Sequence, residues 1–219
     1  MPSVPQKADV TDGEVNVPMR LWVVSFAHTI EAHHAELTEL DRIGGDGDFG
    51  NNMVAGSQAA IAHLTKHSAT TSGAFAALSE AFLDIGGTSG PLFGSWFRQF
   101  AAASQGSGAK IVVDELATGA ARGAESVMRL GRTQLGDKTM VDAMLPASSA
   151  LTDASERGAN LGAALQSAAA AARTGASGTT ALTARRGRAT YVGETALGSA
   201  DAGAVAVALF FESGLTLGT

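Results

Sequence analysis

An all-α fold is predicted for this chain of 219 residues by three observations. About one residue in five is alanine, the best helix former. Apolar residues recur every three or four positions over most of the chain, as on one face of a helix. The Val/Ile/Thr/Tyr alternation typical of strands is scarce, and no strand–helix–strand rhythm is present.

The first helix is expected over about residues 19–40, where Val23, Phe26, Ile30, Leu37 and Leu40 form one stripe. The second covers about residues 51–67, with Val54, Ile61 and Leu64. Phe75, Leu78, Phe82 and Ile85 mark a third. Leu92, Phe93, Trp96, Phe97 and Phe100 mark a fourth, with Pro91 in the first turn, where its missing N–H costs nothing. A fifth runs over about residues 113–130. The sixth spans about residues 139–154, and Pro146 is expected to end it early or bend it. Asn160, a good N-cap, opens a seventh that closes near Gly175. A further helical turn fits residues 179–185, and the last helix covers about residues 202–215. About eight helices joined by glycine-rich loops result. Residues 1–18 are polar and proline-punctuated and are expected to form a mobile tail, leaving residues 19–219 as one domain.

Composition bounds the function. Hydrophobic residues make up 45% of the chain, enough for a substantial core. The absence of cysteine excludes a disulfide scaffold, a thiolate zinc site, an iron–sulfur cluster and a cysteine nucleophile. A net charge of −6 opposes a broad footprint on nucleic acid but leaves room for a single nucleotide. No apolar leader is visible, and the longest strongly apolar run, residues 204–211, is far short of the roughly 20 that span a membrane. A soluble cytoplasmic protein with no membrane partner is expected.

The unusual residues lie between the helices. In Leu40–Met53, LDRIGGDGDFGNNM, the aspartates Asp41, Asp46 and Asp48 repel one another unless neutralised. A hard divalent cation would do this, since Mg2+ and Ca2+ take oxygen ligands. An EF-hand is ruled out, because no Glu follows until Glu80. The competing reading is a solvated turn whose aspartates cap helices. The formal G-x-G-x-x-G from Gly45 to Gly50 is no dinucleotide fingerprint, because a helix rather than a strand precedes it.

Further along, Gly86-Gly-Thr-Ser-Gly-Pro91 runs into a helix start, where free N–H groups and the Thr88 and Ser89 hydroxyls suit an anion. A plain N-cap is the alternative. Gly131-Arg-Thr-Gln-Leu-Gly-Asp-Lys-Thr139 imitates a P-loop, but Asp137 interrupts it and no strand precedes it. A nucleotide-facing loop of another design stays open, and the alternative has Asp137 capping the following helix. Arg185, Arg186 and Arg188 suit phosphate, or else form a solvated face. Asp201 reads as the N-cap of the last helix. His63 and His67 stand at a zinc-binding spacing, but no carboxylate joins them on that face; His33 and His34 read as surface residues. No G-x-S-x-G elbow supports a serine triad.

Taken in order and spacing, LDRIGGDGDFGNNM, GGTSGPLFG, GDKTM, ARRGRATYVGE and SADAGA resemble the nucleotide-binding L subunit of bacterial dihydroxyacetone kinases. The same unit forms the C-terminal domain of single-chain ATP-dependent kinases of this type. The resemblance implies a barrel of eight up-and-down antiparallel helices with the nucleotide at one end. It implies two Mg2+ ions on Asp41, Asp46 and Asp48. It places ADP or ATP against Phe49, Gly50, Asn51, Asn52, Thr88, Ser89, Gly131, Met140, Arg188, Asp201, Ala202 and Gly203. The three aspartates and Arg188 would then serve phosphoryl transfer to a small ketose held by a separate K subunit.

Two residues depart from the family pattern. Phe49 stands where some members carry a histidine, and Ala202 follows Asp201 where a proline is often found. The donor is left open between free ATP and bound ADP recharged by a phosphotransferase-system protein. So is the acceptor, because relatives also phosphorylate tetrose ketoses. A homodimer is left open too. The competing function is a non-catalytic module that reports nucleotide state to a transcription regulator. The clustered aspartates favour the enzyme.

Overall fold

A computed structural model describes residues 19–186 and 196–215. The expected tail and Arg188 lie outside the described residues. The first helical stripe is divided in two, α1 (Met19–Ala32) and α2 (His34–Gly44). The single helix expected over residues 19–40 is therefore corrected. His33 leaves helical geometry at φ −100°, ψ 12°, and its Nδ1 lies 2.8 Å from the Thr29 carbonyl. That ring occupies an acceptor at the end of α1, and the chain turns there.

There follow α3 (Phe49–His63), α4 (Thr71–Leu83), α5 (Ser89–Ala103), α6 (Val113–Gly131), α7 (Val141–Glu156) and α8 (Leu161–Gly178). A 3-10 turn covers Thr179–Ala181, shorter than the turn expected, and α9 covers Ala202–Leu215. Asn160 caps α8 as expected, accepting from Ala163 N–H at 2.9 Å. Pro146 neither ends nor breaks α7. A proline inside a helix denies its N–H to the carbonyl four residues back, here that of Asp142.

Packing runs in sequence order from α3 through α9, and α9 returns to α1, which meets α3. Eight helices thus close into an antiparallel up-and-down barrel, while α2 lies outside against α3 and α9. Aromatic side chains fill the centre. Both tryptophans and eight of the nine phenylalanines are almost fully buried. Phe210 of α9 stacks on Trp22 at 4.6 Å and meets Phe26, Trp96 and Phe97 edge-on at 5.2–5.3 Å. α9 is buried on nearly all sides, which explains why it has no polar face. Among the described residues no helix is long and apolar enough to cross a membrane.

In an up-and-down barrel every second connection falls at the same end. The α2–α3, α4–α5, α6–α7 and α8–α9 connections are that set, and each carries glycine beside polar residues.

Candidate nucleotide site

A cavity of about 500 Å3 opens among these four connections. Asp41, Asp46, Asp48, Phe49 and Asn52 line it from the first, and Thr88 and Ser89 from the second. Gly131, Thr133, Lys138, Thr139 and Met140 line it from the third. Asp201, Ala202 and Gly203 line it from the fourth, with Arg186 and Ser199 beside them. Leu92, Phe93 and Val127 give it an apolar wall.

The aspartate loop is built for close approach. Gly47, between Asp46 and Asp48, takes φ +81°, a conformation that favours glycine. Asp41 Oδ2 accepts from Phe49 N–H at 3.0 Å, so one carboxylate oxygen is already committed to the start of α3. Asp48 is the N-cap residue of α3, yet its side chain makes no capping bond. Among the described residues no group of three His, Cys, Asp or Glu side chains is already gathered as a metal site. The donors themselves are hard carboxylate oxygens on one cavity, the set that Mg2+ takes together with phosphate oxygens.

Two predicted contacts lie outside the lining. Gly50 faces α2, where an added Cβ would sit 2.1 Å from Thr38 Oγ1 and 2.7 Å from the His34 carbonyl, so its smallness serves helix packing. Asn51 is exposed, with Oδ1 2.8 Å from His34 Nε2. Phe49 is buried, its ring 6.2 Å from Phe93, and it backs the cavity wall.

The 131–139 loop is organised differently from the expectation. Asp137 Oδ2 accepts from Gln134 N–H at 3.0 Å and closes its own turn rather than capping α7. Asp142 ties the loop to α7 instead, accepting from Gly136 N–H at 2.6 Å and from Thr139 N–H at 2.8 Å. Lys138 and Asp142 are both buried, and neither stood out as a site residue in the sequence. The readable signal was Lys138 between Asp137 and Thr139, in the run that directly follows Gly136. Arg186 is exposed at the rim yet lines the cavity, with Nε 3.6 Å from Asp137 Oδ2.

The histidines are spent elsewhere. His33 and His34 are half-buried and hold local contacts, so they are not simple surface residues. A carboxylate does reach the His63–His67 pair, from the next helix: Glu80 Oε2 lies 3.0 Å from His67 Nε2 and 3.9 Å from His63 Nδ1.

Asp201 caps α9 through Ala204 N–H at 2.8 Å, as expected. Burial pushes its carboxyl up to about 7, the Ala204 bond and Lys138 pull it down, and Asp142 and Asp41 push it up. A folded pKa above the unfolded one means that the native state holds the proton more tightly. The stability contributed by this group is full below about pH 4 and is lost as pH rises through about 7. Asp201→Asn keeps an acceptor for Ala204 and cannot titrate. Its ligand-free stability should fall less than that of the wild type between pH 4 and 8, read from urea unfolding at each pH. Identical slopes would show that Asp201 is not protonated in this range.

Comparison with known proteins agrees with this geometry. The family model described as DAK2 domain matches residues 43–216. The PEP-dependent dihydroxyacetone kinase, ADP-binding subunit DhaL, of Escherichia coli (strain K12) is 34% identical over 188 residues, covering 85% of this chain and 89% of that protein. The L-erythrulose 1-kinase of Mycolicibacterium smegmatis is 36% identical over 196 residues, covering 86% of this chain but 33% of that longer protein. The crystal structure of the dihydroxyacetone kinase from C. freundii in complex with AMP-PNP and Mg2+ superposes with a TM-score of 0.69 at 26% identity, over 99% of this chain and 37% of that one. The family model spans most of the chain, including the four connections that line the cavity, and the chain belongs to the DAK2 domain family.

Proposed function

We propose that this chain is the ADP- or ATP-binding subunit of a dihydroxyacetone-type kinase, passing a phosphoryl group to a small ketose carried by a separate K subunit. The observation that carries this reading is the single cavity that gathers Asp41, Asp46 and Asp48 with Thr88, Ser89 and the start of α9. Asp41, Asp46 and Asp48 would hold Mg2+, two ions by resemblance to the family. When bound, the metal neutralises phosphate charge. The chain's own part is positioning and electrostatics, which is most of what phosphoryl transfer asks of a protein. Thr88 and Ser89 offer hydroxyls and the α5 N-terminus to an anion. Leu92, Phe93 and Val127 offer an apolar wall to a base. Arg188 would fork onto phosphate oxygens.

The donor is proposed to be a phosphotransferase-system protein that recharges bound ADP, because the relative covering nearly the same length is named PEP-dependent. The erythrulose kinase among the relatives favours a second acceptor class, four-carbon ketoses. Those relatives are named kinases, which supports an enzyme over a pure sensor. A cytoplasmic location completes the proposal.

Two measurements test it. The purified chain alone should give no turnover of dihydroxyacetone, and turnover should appear when a K-type subunit and a phosphotransferase-system donor are both added. Turnover by the isolated chain that Asp48→Ala abolishes would refute the two-subunit reading. Separately, Mg2+ with ADP should raise Tm more than Mg2+ alone, because ligands that bind only the native state stabilise it. No shift at saturation would refute the nucleotide site.

A further inference from the structure

Lys138 has no part in the function proposed above, yet it is one of the most constrained residues of the cavity. It lines the cavity, is only 4% exposed, and takes φ +60°, a left-handed conformation uncommon for a residue with a Cβ. Its Nζ donates to the Thr179 carbonyl and to the Ser199 carbonyl, each at 2.6 Å. Those partners are 41 and 61 residues away in the chain. One belongs to the 3-10 turn after α8, the other to the segment that leads into α9.

The same junction is tied twice more. Asp201 N–H donates to Thr179 Oγ1 at 2.8 Å, and Gly198 N–H donates to the Thr180 carbonyl at 2.9 Å. The loop that carries Lys138 is itself held by Asp142. We infer that Lys138 is a positioning residue of this cavity: its ammonium fastens residues 199–203, which form one wall, to the turn at Thr179.

The chemistry favours a charged strut over mere filling. Both acceptors are neutral carbonyls, and a buried ammonium is costly to desolvate. An uncharged side chain would fill the same space without that cost. The charge is useful where it lies, because Asp142 and Asp201 both interact with it and the cavity gathers three further aspartates. An ammonium on this wall offsets acid that would otherwise repel an anionic ligand. The left-handed backbone, flanked by the Asp142 clamp, directs the side chain across the junction rather than along its own loop.

This inference rests on the nucleotide reading of the cavity, and its test separates the two. Lys138→Met keeps the bulk and removes every donor. The variant should fold, with a ligand-free Tm within a few degrees of wild type. Hydrogen exchange at the Asp201 amide and its neighbours in 199–203 should quicken by roughly tenfold, the factor that one ordinary hydrogen bond supports. Affinity for ADP with Mg2+ should fall by a similar factor. Lys138→Arg, which keeps charge and donors, should restore part of both. Wild-type exchange and affinity in Lys138→Met would overturn the inference. So would failure of that variant to fold, which would make Lys138 a general element of stability. If the wild type binds no ADP, the nucleotide reading falls, and the strut is judged on exchange in the ligand-free protein alone.

Discussion

Asp48→Asn is expected to weaken Mg2+-dependent ADP binding by about a hundredfold, or ~2.7 kcal/mol. Asp48 lines the cavity, and its carboxylate is not used to cap α3, so its charge is available to a cation. Removing it should change the Tm of the ligand-free protein little. A negative charge at a helix N-terminus is lost, which costs about 0.3–1 kcal/mol, and repulsion from Asp41 and Asp46 is relieved. Asp41→Ala should differ. Asp41 Oδ2 accepts from Phe49 N–H, so that change disturbs the start of α3 as well. Its ligand-free Tm should fall, in keeping with the ~1 kcal/mol typical of a disturbed helix start. Calorimetric titration of ADP with Mg2+ and with EDTA reads the first effect, and thermal unfolding the second. Equal ADP affinity in Mg2+ and EDTA would remove the metal from the proposal.

The largest effect on stability is expected from Gly175→Ala. An added Cβ would lie 2.1 Å from the Asp142 carbonyl oxygen and 3.0 Å from Ala143 Cα, all backbone that cannot step aside. Pro146 denies this carbonyl its ordinary helical partner, and the bare Cα of Gly175 packs on it. Separating α7 from α8 there should cost about 3 kcal/mol. For a protein of this size that lowers Tm by roughly 6–12 °C. The start of α7 also carries the Asp142 carboxylate that holds Gly136 and Thr139, so ADP affinity should fall with stability. Gly178→Ala is the control. Nothing lies within 4 Å of its would-be Cβ, and its φ of −60° suits alanine. It should leave Tm unchanged or raise it slightly. A silent Gly175→Ala would mean that α7 and α8 are not in backbone contact.

Periodicity alone made most of the helices legible, since the stripe of Phe75, Leu78 and Phe82 or of Trp96, Phe97 and Phe100 is the buried face itself. It failed at the junction of α1 and α2. The break at His33 is a single residue out of helical geometry, while the apolar stripe runs on through it. Pro146 does not end α7, because a helix already packed on both neighbours can run on through one missing N–H. The apolar residues Leu92 and Phe93 belonged to a core stripe by spacing, and only their position at the cavity end makes them a wall.

The sequence by itself determined the fold class and the loops that carry the chemistry, because helix periodicity and glycine beside aspartate, serine and threonine are local properties. It also set three aspartates in one short stretch, the pattern on which the proposed cation rests. Tertiary structure alone decided that those loops share one cavity, which follows from alternate connections of an up-and-down barrel falling at one end. It alone turned Gly50 toward α2, Asn51 toward His34 and Arg186 toward the cavity. It alone joined Lys138 to carbonyls 41 and 61 residues away. Such contacts have no signature in spacing, because the distance between their partners in space is set by helix packing and not by the chain between them.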